Sequence, residues 1–471
     1  MKLYHTTTKS SWFDRLRQPP PLPSYLPRLV LAERYQPGFV RRCQVTQSLL
    51  PLLRQLVWEQ LPATLTMQAR GERSVPLAAY VGAYLVRLQQ QLPTFAALRH
   101  FLRTHPALVW ALSFPLVPTP HHFDADACLP SQRHFSKKLG SLPNDVLQTL
   151  LDGQVTWLQS RFGDEFGDVI SLDTKHILAW VKENNPKAYL KEGRFDKTRQ
   201  PAGDPDCKVG CKRRRNQITP TKEGQAASEQ VSIGEYYWGY ASGVVATKLP
   251  DVSEFVLAEL TQTFDQADVT YFFPLMAQVE QRLGRRPRFG ALDAGFDAFY
   301  VYDYFRDDEH DGFAAVPLRQ MRGQRQFDAD GLPLCEAGLP MPLTGTFTNR
   351  TSLVQHQRGR YGCPLLYPQP NGATCPIAHA KWPDGGCKVV MPTAEGARIR
   401  YQLDRDSERF KQVYNQRTAV ERIFSQAKAL GIERPKLRNR QAIANSNTLT
   451  YLLINLRAML RISQASGDAA R

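Results

Sequence analysis

The 471-residue chain lacks the features that mark several classes of protein. It has no apolar run near the ~18 residues that a membrane-spanning helix needs, so we expect no membrane partner. Its N-terminal stretch lacks the apolar centre of a secretory signal, which favours a cytoplasmic location. Its eight cysteines are too few for a disulfide-built scaffold. It has no glycine-rich loop of the kind that cradles nucleotide phosphates, which argues against an ATP-driven motor.

Positive charge and apolar residues are what the chain does have. It carries 60 Lys and Arg against 44 Asp and Glu, a formal net charge of +16. A basic excess of this size favours a nucleic-acid partner, and a basic enzyme without such a partner is the alternative. Hydrophobic residues make up 42% of the chain and aromatic residues 10%, which is enough for a packed core. A chain of this length is expected to form about two to four structural units.

The N-terminal third is predicted to be helical. A proline cluster in residues 1–43 indicates an arm or linker, and apolar residues then recur at helical spacing through 44–164. A short basic helix within this region resembles the second helix of a helix-turn-helix, which enters a major groove of DNA. The residues that it would present are Arg133, Lys137 and Lys138. A basic surface helix of an all-helical bundle is an equally weighted alternative.

After this helical region, short strands alternate with helices. Short apolar runs end at Asp173 and Asp293, and the segment 235–247 indicates a hairpin or bulge around its glycines. Residues 252–264 are predicted as a helix. We interpret about 320–395, which is rich in Gly, Pro and short β-like stretches, as an insertion. The predicted fold class is therefore α+β or α/β, with a helical N-terminal region followed by a mixed layer.

Three acidic residues, Asp173, Asp293 and Glu421, occupy positions suited to catalysis, and we call them the acidic triad. The two aspartates each end a short predicted strand, where carboxylates from several strands can meet at one rim of a sheet. Helical spacing over 404–430 puts Glu421 in one stripe with three other residues, Tyr414, Arg417 and Lys428. On spacing alone, a solvated charged face is the competing explanation of this stripe.

The pattern Tyr414-x2-Arg417-x3-Glu421-x6-Lys428 resembles the Tyr-Arg-Glu-Lys signature of bacterial insertion-sequence transposases with a DDE (Asp-Asp-Glu) catalytic domain. The segments VISLDTKH and FGALDAGFD resemble the first two catalytic regions of that family, and the order of the three acids agrees. The resemblance covers about 165–463 and leaves 464–471 as a tail. It implies a ribonuclease-H-like catalytic domain, with the β-rich insertion before the catalytic Glu. The long polar segment before residue 235 departs from the pattern, and we interpret it as a subgroup-specific loop.

The resemblance also implies an activity. The protein would bind transposon ends and catalyse metal-dependent DNA cleavage and strand transfer, as in cut-and-paste transposition. The acidic triad would hold two Mg²⁺ or Mn²⁺ ions, since two metals about 3.5–4 Å apart can stabilise both the attacking and the leaving oxygen. Tyr414, Arg417 and Lys428 would contact phosphates beside the scissile bond. The expected partners are transposon-end and target DNA, bound by a dimer or higher oligomer in the nucleoid of a bacterial cytoplasm.

Two stretches carry the positive charge expected of a DNA-binding surface. Residues 187–222 hold eleven Lys and Arg against four Asp and Glu, and residues 400–440 hold eleven against five. Such clusters suit phosphate contacts, which give affinity without reading base sequence. The first stretch includes a run of four basic residues that we assign to DNA contact rather than to a solvated loop: Lys212, Arg213, Arg214 and Arg215.

The cysteine spacing allows a second kind of metal site. Cys207 and Cys211 have the spacing of a zinc knuckle without a second close pair, and Cys363, Cys375 and Cys387 recur at equal intervals. Ordinary free thiols are the favoured interpretation, and zinc is the less favoured one.

Two other functions remain open. A metal-dependent nuclease of the same fold would cleave DNA without strand transfer. A non-catalytic DNA-binding protein derived from a transposase would bind DNA only, although the intact acidic triad argues against it.

Overall fold

The computed structural model of the chain describes residues 22–23, 25–62, 75–185, 193–215, 232–306, 311–319 and 325–465. Predictions that fall elsewhere, including most of the proline cluster, lie outside the described residues. Within these ranges the protein is mixed α+β, with a helical region, a curled mixed sheet covered by helices, and a small second sheet. In the same ranges, no helix is both long enough and apolar enough to cross a membrane.

The helical region begins earlier than predicted. Its helices are α1 (Gly38–Arg41), α2 (Gln44–Leu53), α3 (Leu77–Gln89), α4 (Phe95–Thr104), α5 (Pro106–Ala111), α6 (Gln132–Ser141) and α7 (Asn144–Phe162). Residues 25–43 were expected in an arm, yet α1 packs against α2 and α5. Leu29 and Val40 are fully buried. This part of the segment is therefore fixed to the helices by apolar burial rather than extended.

The main sheet is built around its first strand. Its strands are β1 (Val169–Leu178), β2 (Lys208–Arg215), β3 (Ser232–Leu249), β4 (Ser253–Thr263), β5 (Phe289–Leu292) and β6 (Phe313–Ala315). β1 pairs antiparallel with β3 on one side and parallel with β5 on the other. β5 continues to β6 in parallel, while β4 and β2 pair antiparallel with β3. This arrangement places the carboxyl ends of the parallel strands at one rim.

Residues 252–264 were predicted as a helix, and this prediction is wrong because they form β4. Residues 255–258 are all fully buried, since α7 and the helices at 272–283, 418–429 and 440–465 all contact this strand. A strand that is covered on both faces reads as a continuous apolar run, without the alternation that marks a half-buried strand. The sequence pattern alone therefore could not separate the strand from a buried helix.

A hairpin or a bulge was predicted at 235–247, and the hairpin is wrong because these residues lie in one long strand, β3. The ladder between β3 and β4 has one irregularity, between Val245 and Ala246, rather than at a glycine. Gly239 has a different role. A Cβ atom built on it would lie 2.2 Å from the carbonyl oxygen of Ile177 on β1, so only glycine allows this close approach of two backbones.

Gly239→Ala is therefore expected to lower the free energy of unfolding by about 2–4 kcal/mol, because backbone atoms must shift to admit the methyl group. Gly345→Ala is the matched control, since a Cβ atom there meets nothing within 4 Å. Urea denaturation of both variants measures the difference. Equal stability of the two variants would contradict the close approach.

The remaining elements surround the sheet and form the insertion. They are α8 (Phe272–Leu283), α9 (Phe299–Phe305), β7 (Leu343–Asn349), β8 (His356–Tyr361), β9 (Val389–Pro392), α10 (Gly396–Gln402), α11 (Glu408–Asn415), α12 (Thr418–Ala429) and α13 (Arg440–Ala465). β7, β8 and β9 form an antiparallel sheet inside the predicted insertion. The prediction of a single helix over 404–430 is wrong, because the helix is interrupted at residues 416–417, between α11 and α12.

Helix α13 joins the helical region to the sheet. It packs against α2, α3, α6 and α7 on one side and against β3 and β4 on the other. One apolar cluster accordingly contains Leu29, strand residues such as Val244, and Leu456 of α13. Asn455 adds a polar tie, because its side chain accepts a hydrogen bond from Val256 N and donates one to Val256 O, both 2.9 Å long.

Candidate active site

The register of two parallel strands brings Asp173 and Asp293 together. The last paired residues of β1 and β5 are Leu172 and Leu292. Asp173 and Asp293 follow directly, on strands that lie about 4.8 Å apart. Asp293 ends its strand as predicted, and its Oδ1 accepts a hydrogen bond of 2.7 Å from Gly295 N.

Asp173 was predicted to end a strand as well, and this prediction is wrong. β1 continues to Leu178, and Asp173 lies in its middle, paired with Val244 of β3. The apolar pattern stops at Asp173 because the pairing with β5 stops there. Residues 173–176 of β1 are consequently only partly buried. The side chain of Asp173 is 24% exposed at the rim where β5 ends.

A buried serine holds α12 next to these two carboxylates. Ser171 Oγ donates a hydrogen bond to Ala246 O on β3 and accepts one of 3.2 Å from Val420 N in the first turn of α12. Ser171 lies two residues before Asp173, so both side chains point to the same face of the strand. Glu421 follows Val420 and is thereby brought to the face that carries Asp173.

Arg417 connects two members of the acidic triad. It lies at the start of α12, where one guanidinium nitrogen is 3.7 Å from Asp173 Oδ2 and another donates to Glu421 Oε1. The guanidinium also lies 5.9 Å from the ring centre of Tyr414. Burial alone would lower the pKa of Arg417, but the charges of Glu421 and Asp173, among others, raise it. The triad therefore surrounds one fixed positive charge.

Burial and mutual repulsion disfavour the negative charge of Asp173 and Asp293. Burial raises the pKa of Asp173 to about 7, and the negative charge of Asp293 acts in the same direction. The N–H of Thr174 and the charge of Arg417 oppose this shift only in part. Burial likewise raises the pKa of Asp293. Two adjacent carboxyl groups with raised pKa values form a place where a cation would be strongly stabilised.

Asp268 is a fourth acidic residue at this site that sequence reasoning missed. Its Oδ1 accepts a hydrogen bond of 2.6 Å from Thr174 Oγ1, directly beside Asp173. Its charge contributes to the raised pKa of both Asp173 and Asp293. Asp268 begins a 3₁₀ turn after β4. No sequence signal pointed to it, because β4 itself was taken for a helix.

Asp297, in contrast, is structural. It closes the DAGFD segment, but its side chain is fully buried and pairs with Arg400 on α10 through both oxygens, at 2.7 and 2.5 Å. Tyr302 Oη and Arg319 N donate further hydrogen bonds to it. All its acceptor positions are engaged, so Asp297 holds the turn after Asp293 against α10.

Three lysines lie around one glutamate, Glu433, near the far end of α12, and we call Lys175, Lys212 and Lys428 the lysine cluster. Lys175 Nζ is 2.5 Å from Glu433 Oε1, and Lys428 Nζ is 3.9 Å from Glu433 Oε2. Burial alone would raise the pKa of Glu433, but the hydrogen bond from Lys175 and the charges of all three lysines hold it below its ordinary value. Lys175 lies two residues after Asp173 on the same face of β1.

The predicted DNA contacts divide into two groups. Arg417, Lys428 and Lys212 lie in or next to the surface that carries the triad, as does Tyr414, although on α11 rather than on the helix of Glu421. Lys212 to Arg215 were predicted in a loop, and this is wrong because they form the end of strand β2. The prediction that Arg213, Arg214 and Arg215 contact DNA stays a prediction.

The predicted basic helix at 131–138 exists as α6, capped by Ser131, whose side chain accepts a hydrogen bond from His134 N. Arg133 and Lys137 are exposed, whereas Lys138 is partly buried with its Nζ 5.8 Å from the ring centre of Tyr80. α6 is not the second helix of a helix-turn-helix, because about twenty residues separate it from α5, where such a motif has a turn of three or four. The tight turn instead follows α6.

The Cys207–Cys211 pair does not form a zinc knuckle. Cys211 lies within β2 and Cys207 directly before it, and four residues of extended chain span roughly 13 Å. Cys207 is fully buried, and its thiol donates a hydrogen bond to Asp204 O.

The acidic triad fits a hard divalent cation by its chemistry, although its side chains are not pre-arranged for one. Over the described ranges, no three His, Cys, Asp or Glu side chains already form a ligand set for a metal ion. Arg417 lies between Asp173 and Glu421 instead. The raised pKa values of Asp173 and Asp293 are what a site for a cation would show without it, since oxygen ligands of this type suit Mg²⁺.

Comparisons with known proteins yield no relative. No protein-family model matches the chain, and no significant match is found among curated proteins or solved structures.

Proposed function

We propose that this protein is a DNA transposase that cleaves and joins phosphodiester bonds with two divalent metal ions. The observation that carries the proposal is the convergence of three carboxylates that are 120 or more residues apart in sequence. Asp173 and Asp293 lie side by side on parallel strands, and Arg417 joins Asp173 to Glu421. All three belong to the motifs that carry the family resemblance.

The order of strands supports a ribonuclease-H-like architecture for the sheet. Three antiparallel strands, β1, β3 and β4, are followed in sequence by two parallel strands, β5 and β6, that extend the other side of β1. Helix α8 separates β4 from β5, and α9 separates β5 from β6. In such a sheet, residues at the carboxyl ends of the parallel strands are positioned to share a ligand.

Each side chain has a role in this proposal. Asp173, Asp293 and Glu421 would hold the metal ions, which when bound would supply a Lewis acid for the attacking and leaving oxygens. Arg417 would release Asp173 and Glu421 and bind a phosphate instead, because guanidinium can contact phosphate in a bidentate manner. Asp268 would act by fixing Thr174 and by adding negative charge beside Asp173 and Asp293.

Positive charge near the triad supports DNA as the substrate. The lysine cluster lies on the continuation of β1 and α12, beyond Asp173 and Glu421. A groove of about 470 Å³ also opens beside Ala298 to Tyr300, which follow the turn after Asp293. It is lined in part by Tyr300, Arg325, His356, Arg358 and Arg400. Lysine and arginine near the carboxylates suit a polyanion bound at this rim. We propose oligomeric binding of two DNA ends as part of this function, at the bacterial nucleoid.

A strand-transfer assay tests the proposal. The purified protein is mixed with a duplex taken from the DNA that flanks its gene, ending in a 3′-hydroxyl, and with a circular target plasmid. We expect joined products that require Mg²⁺ or Mn²⁺, disappear with EDTA, and are absent with Glu421→Gln. Cleavage without joining would identify the nuclease alternative. Binding without either reaction in any divalent metal would identify the non-catalytic alternative.

A further inference from the structure

The insertion brings four cysteines from distant positions to one small cavity. One space of about 10 Å³, close to the least that holds a single water molecule, is lined by all four: Cys335, Cys363, Cys375 and Cys387. Their sequence separations range from 12 to 28 residues. Three of them were noted for equal spacing, but Cys335 lies outside that pattern and joins them only through the fold.

Three of the four cysteines each begin a tight turn. Gly338 N donates to Cys335 O, Leu366 N donates to Cys363 O, and Ala378 N donates to Cys375 O, at 2.9–3.1 Å. These cysteines therefore occupy the first position of a turn, where following N–H groups can point back toward the sulfur.

Cys387 follows two glycines with positive φ, Gly385 and Gly386. A Cβ atom on Gly386 would lie 2.6 Å from Cys363 Cβ, so the glycine permits the segment before β9 to approach Cys363.

Neighbouring thiols contribute to the pKa of Cys387. Burial raises the pKa of Cys387 to about 12, and the neighbouring Cys363 and Cys335 raise it further, as does the hydrogen bond that the Cys387 thiol shares with the Cys363 side chain. Cysteine binds zinc as a thiolate, so a thiol in this position would give up its proton to a metal.

The core of the insertion is too small to stabilise it alone. Its apolar cluster has four buried residues, Met341, Tyr361, Met391 and Ala397, with Cys335 and Cys387 packed at its edge. Units with so little buried apolar surface usually depend on a metal or on disulfides. A cross-link at the four cysteines would join the turn at 335–339, the end of β8, the loop at 375–379 and the start of β9.

We propose that Cys335, Cys363, Cys375 and Cys387 form a structural Zn²⁺ site that fastens the insertion. Four thiolates in tetrahedral arrangement are a common ligand set for structural zinc. The side chains must rotate to meet one ion, because they are not yet arranged as a ligand set in the described structure. The site lies apart from the acidic triad, and the proposal does not depend on the transposase function.

His379 is a positioning residue for this site rather than a ligand. Its Nδ1 accepts a hydrogen bond of 3.2 Å from Lys381 N, and its Nε2 lies 3.6 Å from Glu336 Oε1. It therefore ties the loop of Cys375 to the turn of Cys335. Outer partners of this kind orient the segments that carry metal ligands.

Metal analysis of the full-length protein tests the proposal. We expect about one zinc per chain in protein purified without added metal, falling below about one tenth in Cys363→Ser and in Cys387→Ser. Cys43→Ser is the matched control and should keep its zinc, since Cys43 lies in the helical region. Replacing zinc with Co²⁺ should give the visible bands of a tetrahedral site together with thiolate charge-transfer absorption, and His379→Ala should retain both.

Other outcomes would overturn the proposal. These are iron in place of zinc, a disulfide between any two of the four cysteines, or zinc retained in both serine variants. Limited proteolysis of wild-type protein after removal of zinc by a chelator is independent of whether the variants fold. We expect new cleavage between residues 335 and 392, and an unchanged pattern would also contradict the site.

Discussion

Asp173→Asn is expected to abolish DNA cleavage while making the metal-free protein more stable. Loss of one metal ligand should reduce the rate by about a thousandfold or more, because stabilisation of the transition state by metal ions is worth several kcal/mol. Stability should rise by about 1–3 kcal/mol at pH 8, because the variant removes a charge that burial and Asp293 disfavour. An enzyme variant that is inactive and more stable is the signature of a residue kept for function.

The pH dependence has a defined sign. The pKa of Asp173 is about 7 in the folded protein against an ordinary value of 3.8, so the folded state binds this proton more tightly than the unfolded state does. The stability of the wild-type protein should therefore fall as pH rises between these two values. The advantage of Asp173→Asn should be absent below about pH 4 and complete above about pH 7.

Thermal melting with and without Mg²⁺ completes this experiment. Mg²⁺ should raise the melting temperature of the wild-type protein by binding the folded state, and it should have little effect on Asp173→Asn. Asp330→Asn, an exposed carboxylate in the insertion, should behave as the wild type does. Cleavage by Asp173→Asn within threefold of the wild-type rate would remove Asp173 from the active site.

The triple substitution of Lys175, Lys212 and Lys428 by alanine is expected to weaken the binding of DNA of any sequence. Each lysine that neutralises a phosphate contributes about 0.9 to the slope of log affinity against log salt. The slope should therefore flatten by about 2 to 3, and affinity near 0.1 M salt should fall at least about tenfold. End DNA and random DNA should lose affinity equally, because phosphates carry no sequence information.

The matched control keeps the charge and changes the side chain. The triple substitution of the same lysines by arginine should retain the wild-type salt slope, because the number of neutralised phosphates is unchanged. Fluorescence anisotropy over a series of salt concentrations measures both variants. A slope that changes equally in the alanine and arginine variants would show that the lysine cluster acts by supporting Glu433 and the fold rather than by contacting DNA.

The parts of the site that could be predicted from sequence are those defined by local pattern. Short runs such as FGAL are apolar and bounded by polar residues, so β5 and the position of Asp293 were accessible. The apolar stripe through Val420 and Ile423 predicted that one face of α12 docks, and both residues are buried. Lys175 could also have been found, because in a strand it shares the face of Asp173.

Other features depend on contacts that local pattern does not contain. β4 was taken for a helix because it is covered on both faces. The interruption at residues 416–417 leaves the helical spacing of apolar residues almost intact on either side, so the spacing alone does not reveal it. Asp268 reaches the site through the turn after β4. Cys335 joins the other cysteines only because a separate turn returns the chain to the end of β8.

The packing of α13 on both the helical region and the sheet has a consequence for biosynthesis. The ribosome delivers residues 440–465 after nearly every other described residue, and both neighbours of this helix keep apolar surface open until it arrives. Folding is then completed by late capture of one segment rather than unit by unit as the chain emerges. Nascent chains stopped before residue 440 should accordingly aggregate or engage chaperones, whereas chains that include α13 should reach the folded state.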